Sequence, residues 1–283
     1  MIRGLPLALL LAGCVAADPD DAVAPPLRVM SYNIRYGTAP DGNNHWDRRK
    51  DLCTSRAVVF DPDLLGLQEA LDFQNDHFQT ALGKDYGRIG VGREDGKAKG
   101  EFSTIFFRTS RLEPVASGTF WLSETPDVPG SKSWDSALPR IATWARLRDL
   151  RAGGRELLFV NTHFDHKGVK ARVESAKLLR AFIDKEGRGG PVVVTGDFNS
   201  APASEAHRIL TGGTLTDAWP SLHPEPAEGS AHGFTGKAAG VPRIDWILGS
   251  AAFEAKEASI DRFHKGDLYP SDHFPVSALL AWR

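Results

Sequence analysis

Cysteine is nearly absent: the 283-residue chain holds two, Cys14 and Cys53. If Cys14 is modified or removed, no intrachain disulfide can form, and the fold must stand on its apolar core. A dominant charge sign is missing too. The 34 Lys+Arg and 36 Asp+Glu residues leave a formal net charge of −2, whereas a protein that coats nucleic acid needs a clear basic excess. No internal repeat, coiled coil or second hydrophobic span is visible. What remains is an ordinary globular composition, 41% hydrophobic and 25% charged, on a chain long enough for one large domain or two small ones.

The N-terminus differs from the rest. MIRGLPLALLLAGC sets Arg3 before a short apolar run, Leu5 to Ala12, and small residues before Cys14. That is a signal-peptide pattern, too short for a stable span. Leu11-Ala12-Gly13-Cys14 resembles the lipobox of bacterial lipoproteins. The resemblance implies a signal over residues 1–13, cleavage before Cys14, and lipid on its sulfur. The chain would then sit in a bacterial cell envelope, on its periplasmic or outer face, touching membrane by the anchor only. The alternative is a secreted protein that discards Cys14 with its leader. Residues 14–26, rich in Ala, Asp and Pro, read as a flexible tether, and 27–283 as the folded domain. No protein partner is evident. Cys53 sits in a helical pattern and reads as a small buried residue.

Apolar, β-rich runs recur along the domain: 27–34, 64–69, 102–109, 117–123, 142–150, 157–164, 191–198, 243–249 and 273–282. In the last, Phe274, Val276, Ala278, Leu280 and Trp282 share one face. Helical patterns fall over 47–61, before Pro62, over 71–82, and over 169–187, where Val169, Val173, Ala176, Leu179 and Ile183 form a stripe ending at a Gly187 cap. The mix is α/β, with more strand than a doubly wound sheet needs. Two sheets packed face to face with helices outside would use it. Segment 123–140 is long and irregular, and loops of that length are usually functional or mobile.

Several runs end in the same chemistry. LRVMSYN ends in Asn33, LLGLQE in Glu69, LLFVNTHFD in His163 and Asp165, and VVVTGDFN in Asp197 and Asn199. Asp245 precedes WIL, and Asp272 and His273 precede the final strand. Each residue alone reads as a strand-end cap or turn former, and GDFNS by itself is a turn sequence. Along extended chain, however, Asp197 and Asn199 would project together. Ligand sites in layered folds form where strand ends converge. The shared chemistry is hard oxygen, which suits Mg²⁺, Mn²⁺ or Ca²⁺; with no cysteine cluster, structural zinc is disfavoured.

SYN, QE, NTHFD, GDFN, RID and SDHFPV, in this order over 27–283, resemble the endonuclease/exonuclease/phosphatase (DNase I-like) superfamily. FWLSETP and SWDSALPRIATW resemble the bacterial members of its nocturnin-like deadenylase branch. The resemblance implies a four-layer α/β/β/α sandwich of two mixed sheets flanked by helices. It implies that Asn33, Glu69 and Asp272 hold Mg²⁺ or Mn²⁺, Glu69 directly. Asp197 and Asn199 would organise the attacking water and contact phosphate. His163 would donate to phosphoryl oxygens, and Asp245 would pair with phosphate-binding His273. Arg35 stands where apurinic endonucleases carry an acidic residue, and so becomes a substrate-binding candidate with Trp134, Arg140 and Asp165. Arg48, His166, Lys167 and Arg172 are further basic candidates. The function implied is a metal-dependent phosphoesterase acting on a small or medium phosphorylated substrate. An exo- or endonuclease on RNA or DNA is the alternative, and a non-catalytic binding lipoprotein a third reading.

Overall fold

The computed structural model describes residues 24–223 and 229–283. The expected signal segment, Cys14 and most of the tether lie outside these residues. The last of the tether is seated on the domain: Arg111 donates to the carbonyls of Pro25 (2.5 Å) and Pro26 (2.9 Å).

Two six-stranded sheets carry the fold. The first has the order β11-β12-β1-β2-β4-β3 and the second β5-β6-β7-β8-β10-β9. The strands are β1 (Leu27–Asn33), β2 (Leu64–Gln68), β3 (Tyr86–Ile89), β4 (Ile105–Arg108), β5 (Leu112–Trp121), β6 (Ile141–Asp149), β7 (Arg155–His163), β8 (Val192–Asp197), β9 (Leu215–Asp217), β10 (Asp245–Ser250), β11 (Phe253–Ile260) and β12 (Val276–Trp282). The helices are α1 (Trp46–Phe60), α2 (Asp72–Leu82), α3 (Val169–Gly187) and α4 (Glu205–Thr211).

Burial divides the molecule into layers. Leu27, Val29, Leu64 and Leu280 of the first sheet meet Leu147, Phe159, Val193 and Ile247 of the second in a central core. Tyr32, Leu65, Leu67 and Phe106 pack outward against Cys53, Ala57 and Phe78 of α1 and α2. Val160, Val194, Phe198 and Trp246 pack against Leu179, Ile183 and Leu210 of α3 and α4. This is the expected four-layer sandwich. The alternating face of β12 is buried throughout, from Phe274 to Trp282.

On α3 the buried stripe runs through Ala171, Ser175, Ala176, Leu179 and Ile183, and Val169 is exposed. The expected stripe began one turn early, because Asp135 Oδ1 accepts from Ala171 N (2.7 Å) and fixes the first turn out on the surface. Nor is Gly187 the left-handed cap. It ends the helix, where a Cβ would lie 2.9 Å from Val192 Cγ2, and Arg188 takes the left-handed backbone (φ 50°).

A polar seam crosses the central core. Asn161 of the second sheet donates to Leu67 O (2.7 Å) and Thr104 O (3.0 Å) of the first, and accepts from Gln68 Nε2 (2.7 Å) and Thr195 Oγ1 (3.0 Å). Gly66 makes room for it, since a Cβ there would lie 2.2 Å from Thr195 Oγ1.

Candidate active site

β1 and β2 run parallel, as do β7 and β8, so Asn33, Glu69, His163 and Asp197 emerge at one end of the sandwich. β10 is antiparallel to β8 with Asp245 opposite Asp197, and β12 is antiparallel to β1. Their leading residues Asp245, Asp272 and His273 therefore arrive at the same end. A cleft of about 350 Å³ opens there, lined among others by Arg35, Glu69, Arg140, Asp197, Asp272 and His273.

Asn33 ties the two sheets together. Its Nδ2 donates to Glu69 Oε1 (3.1 Å) and Asp197 Oδ2 (2.9 Å), while its Oδ1 accepts from Arg35 N (3.0 Å). The amide oxygen is thus taken by backbone, and Asn33 orients two carboxylates. Three non-glycine residues of the cleft, Arg35 (φ 58°), Glu69 (φ 61°) and Asn199 (φ 47°), take the left-handed backbone. This region is uncommon for such residues and clusters at functional sites. Buried Arg49 fixes the local course of the chain by donating to the carbonyls of Ile34 (2.8 Å), Pro270 (2.9 Å) and Arg35 (3.2 Å).

The pair in GDFN meets as the sequence suggests, though by another route. The strand ends at Asp197, and Asn199 turns back so that its N–H reaches Asp197 Oδ1 (2.9 Å). The segment is a turn, and both residues line the cleft. Phe198 between them is fully buried, stacked on Trp246 at 4.3 Å.

Asn199 Nδ2 donates to Phe164 O (3.0 Å), so the amide nitrogen is also the atom 3.0 Å from His163 Nε2. Nε2 therefore accepts. The expectation that His163 donates to phosphoryl oxygens does not fit this arrangement; its cleft-side nitrogen holds the Asn199 amide. Burial, reinforced by Arg140 and Arg93, pushes the His163 pKa well below its ordinary value and keeps the ring neutral.

His273 is the opposite case. Its Nδ1 lies 2.9 Å from Asp245 Oδ2 and its Nε2 3.9 Å from Asp197 Oδ2. Burial opposes the cation, but Asp245, Asp197 and Asp272 together raise the pKa well above normal. Asp197 is pushed up to about 7 by burial and by Asp245. Asp272 is raised too, chiefly by burial and then by Glu69 against the pull of His273.

Asp197, Asp245 and His273 bring their ligand atoms within 4.8 Å of one another and could hold a metal ion. Glu69 and Asp272, the ligands expected from the sequence, line the same cleft. Asp245 Oδ1 is buried with no partner among the described residues. Four carboxylates against one imidazolium form a hard-oxygen set that fits a divalent cation.

The substrate-binding candidates divide. Arg35 lines the cleft, held by Asp41 at 2.9 and 3.0 Å. Arg140 lines it as well, held by Asp165 Oδ2 at 3.3 Å. Asp165 does not line it: the residue is buried, and its Oδ1 accepts from Lys167 N (3.0 Å) and Gly168 N (2.7 Å). These backbone donors and Arg140 hold its pKa low despite burial. Trp134 also stays outside the lining, and Leu138 of the same loop takes that place. His166 is in the lining, 2.9 Å from Arg140 Nη2. Sequence reasoning missed Glu101, which lines the cleft in a two-point pair with Arg93 (2.6 and 2.8 Å). It sits in an irregular stretch with no strand-end signature.

Comparison with known proteins gives a consistent result. The model of the Endonuclease/Exonuclease/phosphatase family matches residues 30–273. A solved mannosyl-6-phosphatase of Bacteroides thetaiotaomicron is 37% identical, with a TM-score of 0.82 over 90% of this chain and 100% of that one. Inositol phosphosphingolipids phospholipase C of Schizosaccharomyces pombe is 30% identical over 91% of this chain and 69% of its own length. Nocturnin of Rattus norvegicus is 26% identical over 71% of this chain and 50% of its own, so the chain spans half the length of that relative.

Proposed function

We propose, for a chain that belongs to the Endonuclease/Exonuclease/phosphatase family, that it hydrolyses a small or medium phosphorylated compound through an in-line attack of water. Members of this family are phosphoester hydrolases. The observation that carries the proposal is the convergence of Asp197, Asn199, His163 and His273, from three separate strand ends, on a cleft of about 350 Å³. A cleft of that size encloses a small ligand. The near-neutral net charge and the likeness to a mannosyl-6-phosphatase support a phosphorylated sugar or polyol over a long polyanion.

Glu69, Asp272 and Asp197 would hold a divalent ion, Mg²⁺ or Mn²⁺. When bound, such an ion supplies charge neutralisation at the phosphoryl oxygens and activation of water. Asp197, fixed through both oxygens by Asn33 Nδ2 and Asn199 N, orients the water. His273 presents a cation to the phosphoryl group, kept charged by Asp245. Arg35 and Arg140 stand on the wall where the rest of the substrate would lie.

The likeness to the CCR4-Not complex 3'-5'-exoribonuclease subunit Ccr4 of Mycosarcoma maydis, 22% identical over 69% of this chain and 37% of its own length, favours a second reading, a nuclease acting on RNA. Hydrolysis assayed with Mg²⁺ over sugar phosphates, inositol phosphates, nucleotides, RNA and DNA separates the two. Turnover of sugar or polyol phosphates at least tenfold above that of oligonucleotides is expected; the reverse order would replace the first reading by the second. The signal pattern before Cys14 supports a place in the cell envelope, anchored by lipid.

A further inference from the structure

Behind the cleft, on the far side of the His163 ring, lies a second, much smaller chamber of about 10 Å³, lined among others by Arg93, Glu101, Ser103, Arg140 and His163. That is about the space one water molecule needs. Three of these residues have committed every side-chain nitrogen but one. Arg93 spends Nη1 and Nη2 on Glu101 (2.6 and 2.8 Å), which leaves Nε. Arg140 spends Nε on Asp165 (3.3 Å) and Nη2 on His166 (2.9 Å), which leaves Nη1. His163 spends Nε2 on Asn199 (3.0 Å), which leaves Nδ1.

Arg93 Nε, Arg140 Nη1 and His163 Nδ1 are all shut off from solvent and have no hydrogen-bond partner among the described residues. All three are donors. Guanidinium nitrogens only donate, and with Nε2 accepting, the proton of the neutral imidazole sits on Nδ1. The nearest carboxylate oxygen, Glu101 Oε2, is 4.0 Å from Nδ1 and out of hydrogen-bond range. One buried donor without a partner is uncommon; three on one chamber call for a shared acceptor.

We infer that this chamber is a binding site for one single-atom acceptor, a water oxygen or a halide ion, which takes the Nδ1 proton of His163 and the free N–H groups of Arg93 and Arg140. A water would accept two of these bonds and return its own protons to Glu101 or Ser103. A halide would accept all three. Either way the occupant fixes the His163 tautomer from behind, so that Nε2 faces the cleft as an acceptor and holds the amide of Asn199. His163 is then a positioning residue whose orientation is set by a group outside the cleft.

The test is crystallographic, with the full chain soaked in sodium bromide and data collected at the bromine absorption edge. An ordered peak within hydrogen-bond distance of His163 Nδ1 is expected. Anomalous signal there identifies a halide, and oxygen-like density without it identifies water. A chamber with no ordered peak, or Arg93 Nε and Arg140 Nη1 bonded directly to protein atoms, would overturn the site. In solution, ¹⁵N-histidine spectra, assigned against His163→Gln, should show Nδ1 as the protonated nitrogen of His163. Protonation at Nε2 instead would overturn the tautomer and with it the need for an acceptor.

Discussion

His273 Nδ1 and Asp245 Oδ2 stand 2.9 Å apart, both buried, and this pair holds a positive charge beside the carboxylate of Asp197. The His273 pKa is raised above the unfolded value of about 6.5. Its contribution to stability is therefore complete below about pH 6.5 and is lost as pH rises through the folded value. Asp197, at about 7 when folded, has the same sign and loses stability between its unfolded value and 7. In metal-free protein, urea denaturation should give a lower midpoint at pH 8.5 than at pH 6.5. The buried histidines with depressed pKa values, His163 and His232, act in the opposite sense, mostly below that window and with only a small remainder just above pH 6.5. A flat midpoint across it would contradict the assignment.

Asp197→Asn should separate chemistry from folding. Loss of a general base commonly costs about 100- to 10,000-fold in turnover. The fold should survive, because the change is near-isosteric. Phe198→Ala, one residue on, removes a ring stacked on Trp246 and edge-on to Phe164 and should cost about 3–5 kcal/mol. Steady-state kinetics with thermal unfolding on both variants checks the contrast, and activity of Asp197→Asn within about threefold of wild type would reduce GDFN to a turn.

Asp165 supports Arg140 and the entry to α3 from one carboxylate. Asp165→Ala leaves the Arg140 guanidinium buried without its counter-charge, a loss of about 3–5 kcal/mol. Arg140→Met should lose less stability and raise KM more than it lowers kcat. An Asp165→Ala variant that folds and keeps the wild-type KM while Arg140→Met raises it would show that Asp165 does not act through Arg140.

Chelation should abolish hydrolysis, and Mg²⁺ or Mn²⁺ should restore it. Binding can be followed without turnover, because neutralising Glu69, Asp197 and Asp272 stabilises the folded state. A rise in melting temperature with millimolar Mg²⁺ is expected for wild type and should be much reduced in Glu69→Gln. Full activity in EDTA would exclude the metal.

Cys14→Ser should release the chain from the membrane fraction of a bacterial host while leaving kcat unchanged. Intact mass of the wild-type chain should show diacylglycerol on an N-terminal cysteine. A mature N-terminus beyond residue 14 would rule out the anchor.

The strands that sequence reading found and those it missed divide by position. All nine apolar runs became strands: eight are central strands, which are buried and leave strong hydrophobic signals, and the ninth, β5, is an edge strand read from its buried Phe120-Trp121 end. The three missed strands, β3, β9 and β11, are edges of the two sheets. β11 (FEAKEASI) is largely exposed, and its charged positions erase the apolar pattern while guarding the edge. β9 has three residues and α4 seven, too few for a periodic signal. The site was legible where a side chain sits at the end of such a run, as with Glu69, Asp197 and His273. Glu101 reaches the cleft from a loop, and Asp165 turns away from it to serve backbone N–H groups. Neither outcome is written in local spacing, since each depends on contacts between segments far apart in the chain.

Apolar faces attract without preferring one alignment, so two sheets joined by leucine and valine alone could settle in several neighbouring offsets. Asn161 removes that freedom. Its bonds to Leu67 O and Thr104 O hold only within a few tenths of an ångström, and along the chain Leu67 and Asn161 stand two residues before Glu69 and His163 of the cleft. Glu69 and Asp197 come from different sheets and share the Asn33 amide, so a slide of one residue spacing would part them completely. The seam therefore acts as a dowel between two halves of a mould, and the cleft keeps its two walls aligned through a buried amide that is not part of its lining.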